Sequence, residues 1–206
     1  MIKILLIIFI FYLFMKYKEK FLPTSGHEPK YDPEKWNLNN DIEYSHNCYA
    51  YALDDINESL KNDCIDNDEC DDLKPQPGYV CNKKFKSNNY CKNVENKMLC
   101  DNPSIYKINN KNHPCIKNYY KIGLATSIKP NKDYHFYRQD KDSFWSHKPG
   151  GTEVISYDAS YNIIEDPEIS NRDYVQDGGN YNYNDWCGFY CVPSNDYFDT
   201  KYKWKN

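Results

Sequence analysis

Apolar and polar residues alternate in three different ways along this chain. Ile4 to Met15 is an unbroken apolar run behind Lys3, closed by Lys16, Lys18 and Lys20. It reads as a membrane-targeting helix, shorter than the roughly 20 residues that cross a bilayer comfortably, and so either a signal-peptide core or a short single-pass anchor. No small-x-small cleavage site follows, which favours the uncleaved anchor. Basic residues on both sides leave its orientation open. Phe21 to Asn40 carries three prolines, a glycine and no apolar period, the pattern of a linker or an extended wrap.

Helical spacing appears after residue 41. Tyr49, Ala52, Leu53, Ile56 and Leu60 fall on one face of a helix predicted over Cys48 to Leu60, with Asn47 as its N-cap. Residues 61–118 are dense in Asn, Asp, Lys and Cys and read as a Cys-rich insertion without regular elements. Strand patterns then take over. Tyr119 to Ser127, Tyr134 to Gln139, Ser143 to Lys148, Thr152 to Tyr157, Asn162 to Glu165 and Gly188 to Pro193 alternate with turn residues such as Lys129-Pro130-Asn131-Lys132, Asp140-Lys141-Asp142 and Pro149-Gly150-Gly151. One helix followed by an antiparallel sheet gives an α+β class. The predicted organisation is a segment 1–20 for targeting, a linker 21–40, a domain 41–195 containing the insertion, and a tail 196–206.

Composition narrows the partners and the compartment. At 206 residues the chain supports one domain, and its net charge of −4 lacks the basic field that nucleic-acid binding requires. Nine cysteines are many for this length. Six of them, Cys64, Cys70, Cys81, Cys91, Cys100 and Cys115, lie in the insertion without the short spacings of a structural zinc site, so disulfides formed in an oxidising compartment are expected. Cys187 and Cys191, four residues apart on one strand, are too distant to bond each other, so each pairs elsewhere or lies buried. An odd count leaves one thiol over, and Cys48 stands apart from the rest.

Candidate chemistry gathers around that thiol. A cysteine at a helix N-terminus meets free backbone N–H groups that favour the thiolate. An imidazole must then manage the proton, and a third group must orient the imidazole. His27 lies in the linker, His113 in the insertion, and His46 just before Cys48. His135 and His147 remain. A hairpin centred on Lys141 pairs residues whose numbers sum to 282, which sets these two histidines directly opposite each other on one face. Asp166 is an alternative orienting residue, and it or water would complete a rival His-His-Cys zinc site.

The order of these elements resembles the NlpC/P60 papain-like peptidases: Asn47-Cys48-Tyr49-Ala50-Tyr51-Ala52-Leu53 at a helix head, then Asp133-Tyr134-His135-Phe136-Tyr137, then Phe144-Trp145-Ser146-His147. The resemblance implies a papain-like fold, with the helix bearing the Cys packed on an antiparallel sheet. It further implies Cys48 as nucleophile, His135 as base and His147 as its orienter. Tyr44 and the Asn47–Cys48 helix start would support the oxyanion. The implied activity is a cysteine hydrolase that cleaves a peptide or isopeptide bond through an acyl-enzyme, without metal or cofactor, on a peptide or protein substrate. The membrane contact would be through residues 4–15, and no nucleic acid is expected. The competing expectation is a catalytically inactive, membrane-anchored binding or structural protein stabilised by disulfides. The localisation expected in either case is membrane-anchored or secreted, in an oxidising compartment.

Overall fold

The best-patterned strand of the sequence becomes the middle of the structure. The computed structural model describes residues 6–10, 12, 21–38, 40–67, 70, 75–81, 90–176 and 178–194. Within them lie a five-stranded sheet of order β1-β5-β2-β3-β4 and five short helices. The strands are β1 (Tyr106–Ile108), β2 (Tyr119–Ser127), β3 (Asp133–Gln139), β4 (Trp145–Ser146) and β5 (Asp185–Pro193); all the pairings are antiparallel. The helices are α1 (Pro33–Asn37), α2 (Asn40–Ser45), α3 (Cys48–Ala52), α4 (Glu58–Asn67) and α5 (Tyr90–Asp101). The α+β class expected from the patterning is the class observed.

Strand β2 is flanked on both edges and buried on both faces, which is why its apolar run barely alternates. On one face Tyr120, Ile122 and Leu124 pack with Phe136 of β3, Tyr190 and Val192 of β5, and Cys48, Tyr49 and Ala52 of α3. On the other, Ala125 packs with Tyr137, Trp145, Ile164, Tyr183 and Phe189. Gly123 admits the edge of the Trp186 ring on this second face, since a Cβ there would come within 2.5 Å of the indole tip.

The cysteines staple this sheet. Disulfides join Cys64 to Cys70, Cys81 to Cys100, Cys91 to Cys187 and Cys115 to Cys191, leaving Cys48 as the free thiol. Cys187 and Cys191 do pair elsewhere, but not from one face as the spacing implied. The register of β5 against β2 slips between Leu124 and Ala125, so Gly188 faces Leu124 while Trp186 faces Ala125. This bulge leaves Cys187 on the helical face, where it reaches Cys91 of α5. Cys191 shares its register with Lys121, whose ammonium bonds Pro23 O on the opposite face. With 96 and 76 residues between their partners, these two bonds each stabilise by about 4 to 5 kcal/mol in the chain-entropy account.

Several expected elements take a different form. The helix predicted over Cys48 to Leu60 stops at Ala52. Asp54 adopts φ 50°, its N–H bonds Tyr51 O at 3.0 Å, and the Asp55 N–H bonds Ala50 O at 3.0 Å, a Schellman stop that re-aims the chain into α4. An aspartate accepts this left-handed position because its carboxylate bonds Arg138 and Lys35. The Cys-rich insertion is more regular than expected. It contains α5, seated on the core by Val94 and Met98, and the edge strand β1. By contrast, Thr152 to Tyr157 and Asn162 to Glu165 are held by isolated bridges, His147 to Ile155, Tyr157 to Ile163 and Trp145 to Ile164, rather than by a regular ladder. Only two residues of the strand expected over Ser143 to Lys148 are regular.

The segment 21–40, read as a linker, is a wrap. Leu22 and Trp36 are buried, Gln139 Nε2 donates to Leu22 O, and Lys141 N donates to Pro29 O. At the other end of the apolar run, residues 6–10 are helical and exposed. The expected span over residues 4–15 lies partly outside the described residues, and no helix among those described is long and apolar enough to cross a membrane. The tail 196–206 also lies outside them.

The buried charge of the fold is concentrated at Arg138. Its guanidinium lies 4.0 Å from the centre of the Tyr51 ring and bonds Asp140, Asp54, Tyr51 O and Tyr51 Oη, tying β3 to α3. Removing it takes the guanidinium away from the fully buried Asp140 carboxylate and leaves Asp54 to Lys35. Arg138→Ala is expected to cost about 3 to 5 kcal/mol in urea unfolding. Lys35→Ala, at the exposed end of the same cluster, is expected to cost less than about 1 kcal/mol. Equal midpoints for the two variants would refute this account of the core.

Candidate functional site

Cys48 begins α3, and Asn47 sets its geometry. The Asn47 Oδ1 accepts from Tyr49 N at 3.0 Å and Ala50 N at 3.2 Å, while its Nδ2 donates to Pro75 O at 2.6 Å. The expected N-cap is therefore the observed one. All five residues of this helix are buried, and the Cys48 thiol has 5 % of its residue surface exposed. Its hydrogen bond is a weak one to Tyr134 O, at 3.9 Å. Burial, reinforced by the negative charge of Asp133, pushes the thiol up to about 12. A helix of five residues supplies too little aligned dipole to reverse that.

His135 and His147 meet, though not as the 282 register requires. β3 and β4 pair Arg138 with Ser146 and Gln139 with Trp145, so facing residues sum to 284. Direct opposition falls to Tyr137 and His147, and His135 becomes the diagonal neighbour on the same face. Because the register differs by an even number, both rings stay on that face. The imidazoles lie edge to face with centroids 4.9 Å apart, and His135 Nε2 is 2.7 Å from His147 Nδ1.

Their protons can be assigned. His147 Nε2 is 3.0 Å from Tyr157 O, a carbonyl that only accepts, so Nε2 carries the hydrogen and Nδ1 the lone pair. His135 must then donate from Nε2 to His147 Nδ1. The chain of donors runs outward, from His135 to His147 to the Tyr157 carbonyl. Burial holds His147 down to about 4 and His135 well below its ordinary value, the latter also through repulsion from His147. Both rings are neutral at physiological pH.

The thiol shares a packed cluster with Tyr49 of α3 and with Leu124 and Phe136, helix-facing side chains of the sheet. His135 is paired with Ala125 and lies against Tyr137 and Tyr183, two side chains that also interact electrostatically with Cys48. Successive residues of a strand point to opposite faces, so the His135 ring leaves β3 away from Tyr134 and Phe136. No hydrogen bond joins Cys48 to either histidine among the described residues. The remaining candidates are dispersed. Tyr44 in α2 is 53 % exposed. Asp166 accepts from Lys111 Nζ at 2.8 Å and from Glu168 N at 3.0 Å, which commits its carboxylate to partners other than the two histidines. His46 is a buried structural residue; its Nε2 accepts from Asn57 N at 2.9 Å, and burial lowers it to about 4.

Two polar groups escaped the sequence reading. Lys148, adjacent to His147 and fully buried, donates to Glu43 O, Gly150 O and Thr152 O at 2.6, 3.0 and 2.7 Å, closing the turn after β4 against α2. Asp158 accepts from three backbone N–H groups, of Ser160, Asn162 and Asn171, and fixes the loop that carries the Tyr157 carbonyl. Neither has a sequence signature, because each depends on backbone groups brought in from elsewhere.

No family model matches the chain. No solved structure matches it. Among curated proteins it is similar to insoluble matrix shell protein 1 of Ruditapes philippinarum, with 28% identity over 143 residues, covering 69% of this chain and 81% of that protein. The relative is by name a protein of an insoluble shell matrix and not a peptidase. That likeness overturns the expectation of a cysteine hydrolase cleaving amide bonds through Cys48, His135 and His147, and the thiol-protease description with it. The disulfides and the relative agree on an oxidising, extracellular setting.

The neutral histidines make the fold acid-sensitive in a defined window. A histidine whose folded value is depressed contributes stability that is complete above about 6.5 and lost as pH falls toward the folded value of about 4. His147 and His46 are each expected to forfeit about 3 kcal/mol across that interval. Urea midpoints measured between pH 7 and pH 4 check this. His147→Gln should lose less on acidification than the wild type by roughly the share of one histidine, and an unchanged pH slope would show that His147 is not buried in its neutral form.

Proposed function

We propose that this protein is a catalytically silent structural component of an extracellular matrix, built on a papain-like scaffold and held rigid by disulfides. The observation that carries the reading is the likeness to insoluble matrix shell protein 1 across four fifths of that protein. The apolar run at residues 4–15 serves export in this reading, and the four disulfides suit a chain that must persist outside the cell. The scaffold assignment is supported by the order of the elements, a cysteine-headed helix laid on an antiparallel sheet, with one histidine on β3 and a second directly after β4.

Silence has a physical basis in the same residues. A thiol sealed among Tyr49, Leu124 and Phe136 and pushed up to about 12 is almost wholly protonated at neutral pH. The imidazole pair spends its protons on itself and on a backbone carbonyl. A base of the papain kind must accept from the thiol. His135, donating from Nε2 to His147, keeps Nδ1 as an acceptor, but among the described residues the Cys48 thiol bonds Tyr134 O at 3.9 Å and not that nitrogen.

Two measurements on the full chain, secreted from an oxidising route, test this. The protein is expected in the extracellular insoluble pellet, resistant to detergent. Iodoacetamide at neutral pH is expected to spare Cys48 in the folded protein and label it promptly after guanidinium unfolding. Rapid labelling of folded Cys48 that is slowed by His135→Ala would overturn the silent reading, and a fully soluble secreted product would overturn the matrix reading.

A further inference from the structure

Tyr161 sits in a backbone conformation that its side chain disfavours, and the loop around it is built to keep it there. Its φ is 61°, in the left-handed region, where a Cβ crowds the following carbonyl and where Gly or Asn is the ordinary choice. The ring gains little burial in return, since the residue is 74 % exposed. The loop is nonetheless rigid. Tyr161 N bonds Asp158 O at 2.9 Å and Asp158 N bonds Asn162 O at 2.9 Å, closing a tight turn. The buried Asp158 carboxylate accepts from Ser160 N, Asn162 N and Asn171 N at 2.9, 3.0 and 3.0 Å. Ala159 N and Asn171 O then join the turn to the neighbouring strand-like segment at 3.0 Å. A bulky residue held in a strained conformation by so many contacts, with its side chain in solvent, is the pattern of a displayed functional group.

The displayed group is flat. The Tyr157 and Tyr161 rings stack with centroids 5.6 Å apart and planes 28° from parallel, Tyr157 being 36 % exposed at the root of the turn. Tyr157 is fixed from below, because its carbonyl accepts the His147 Nε2 proton and its backbone bridges Ile163. The stack is therefore tied down by an isolated bridge and by the bond from His147, in a loop that lies outside the five strands. Its rim is polar, with Ser160 and Asn171 joined side chain to side chain at 2.7 Å. The stretch 157–163 contains no cation, and its single carboxylate, Asp158, is taken up by backbone N–H groups.

We infer that the Tyr157–Tyr161 stack is a binding platform for an uncharged pyranose polysaccharide. An open aromatic face matches the apolar C–H face of a pyranose ring, the polar rim matches its hydroxyl edge, and the lack of free charge disfavours anionic chains. Apolar side chains of a protein partner would be better met by a concave aliphatic pocket than by a raised flat stack. The inference rests on the matrix reading and names the partner through which the protein would be retained.

The test uses the secreted full-length chain and suspensions of chitin and of cellulose, with heparin beads as the anionic comparison. Wild type is expected to be retained on an uncharged polysaccharide and not on heparin. Tyr161→Gly removes the ring and also relieves the left-handed strain, so it is expected to melt at the same or a higher temperature while its retention falls on the order of tenfold or more. Tyr161→Phe keeps the ring and is expected to bind nearly as wild type. Failure of wild type to bind either uncharged polysaccharide overturns the inference, as does full retention of Tyr161→Gly. A wild-type dimer in sedimentation that Tyr161→Gly abolishes, without polysaccharide retention, would make the stack a self-association surface and overturn it too. If wild type reaches the insoluble pellet and Tyr161→Gly does so equally, the polysaccharide platform fails while the matrix reading stands.

Discussion

The structure depends on one strand being stapled from both sides. β5 runs between β1 and β2, and its two cysteines reach chain segments 96 and 76 residues away. A core of this kind needs such constraints. Besides its apolar residues it buries Arg138, Lys121, Lys148, Asp140 and three histidines, and a buried charge or imidazole brings stability only when its partners are already in place. Covalent closure of the largest loops lowers the entropy of the unfolded chain. The polar groups can then be satisfied geometrically, as Lys148 is by its three carbonyls, without carrying the whole free energy of folding.

The bulge at Gly188 illustrates how the constraint and the local sequence cooperate. Strict alternation would place Cys187 and Cys191 on one face, where only one layer could be tied. The slip in register turns Cys187 toward α5, while Cys191 reaches Cys115 in the segment between β1 and β2, so one short strand is tied to two distant parts of the chain. The sequence carries a trace of this in Cys187-Gly188, a glycine inside a strand pattern. The pairing itself was not legible, since it depends on α5, whose sparse Val94 and Met98 are diluted by Asn, Lys and Cys.

The parts of the fold that were legible share one property, that their pattern is set by burial alone. β2 and β3 stand nearly where their apolar runs put them, Asn47 caps α3, and Cys48 is the unpaired thiol. The parts that were not legible depend on a tertiary polar contact. Helix α3 ends early because Asp54 can turn left-handed beside Arg138, a residue 84 positions away, which no local propensity encodes. The histidine pair shows both sides of this. Any hairpin centred on a residue puts the two rings on one face, and the Ser143 residue at φ 77° and the bond from Asp140 N to Phe144 O moved the centre from Lys141 to Asp142, one pair along.

That small shift places the histidines on a diagonal, where His135 donates from Nε2 and keeps Nδ1 as an acceptor. On the diagonal, His147 is held between His135 and the Tyr157 carbonyl, and the direction of every proton follows from the one group in the chain that can only accept. The pair is then a rod of hydrogen bonds running from the central sheet to the root of an exposed aromatic turn. A rod works best when it does not titrate, and burial supplies that condition by keeping both rings neutral. The same desolvation that keeps Cys48 a thiol thus gives the histidines a mechanical use. A cysteine-histidine-histidine sequence order is compatible with histidines whose hydrogen bonds join the sheet to a surface turn.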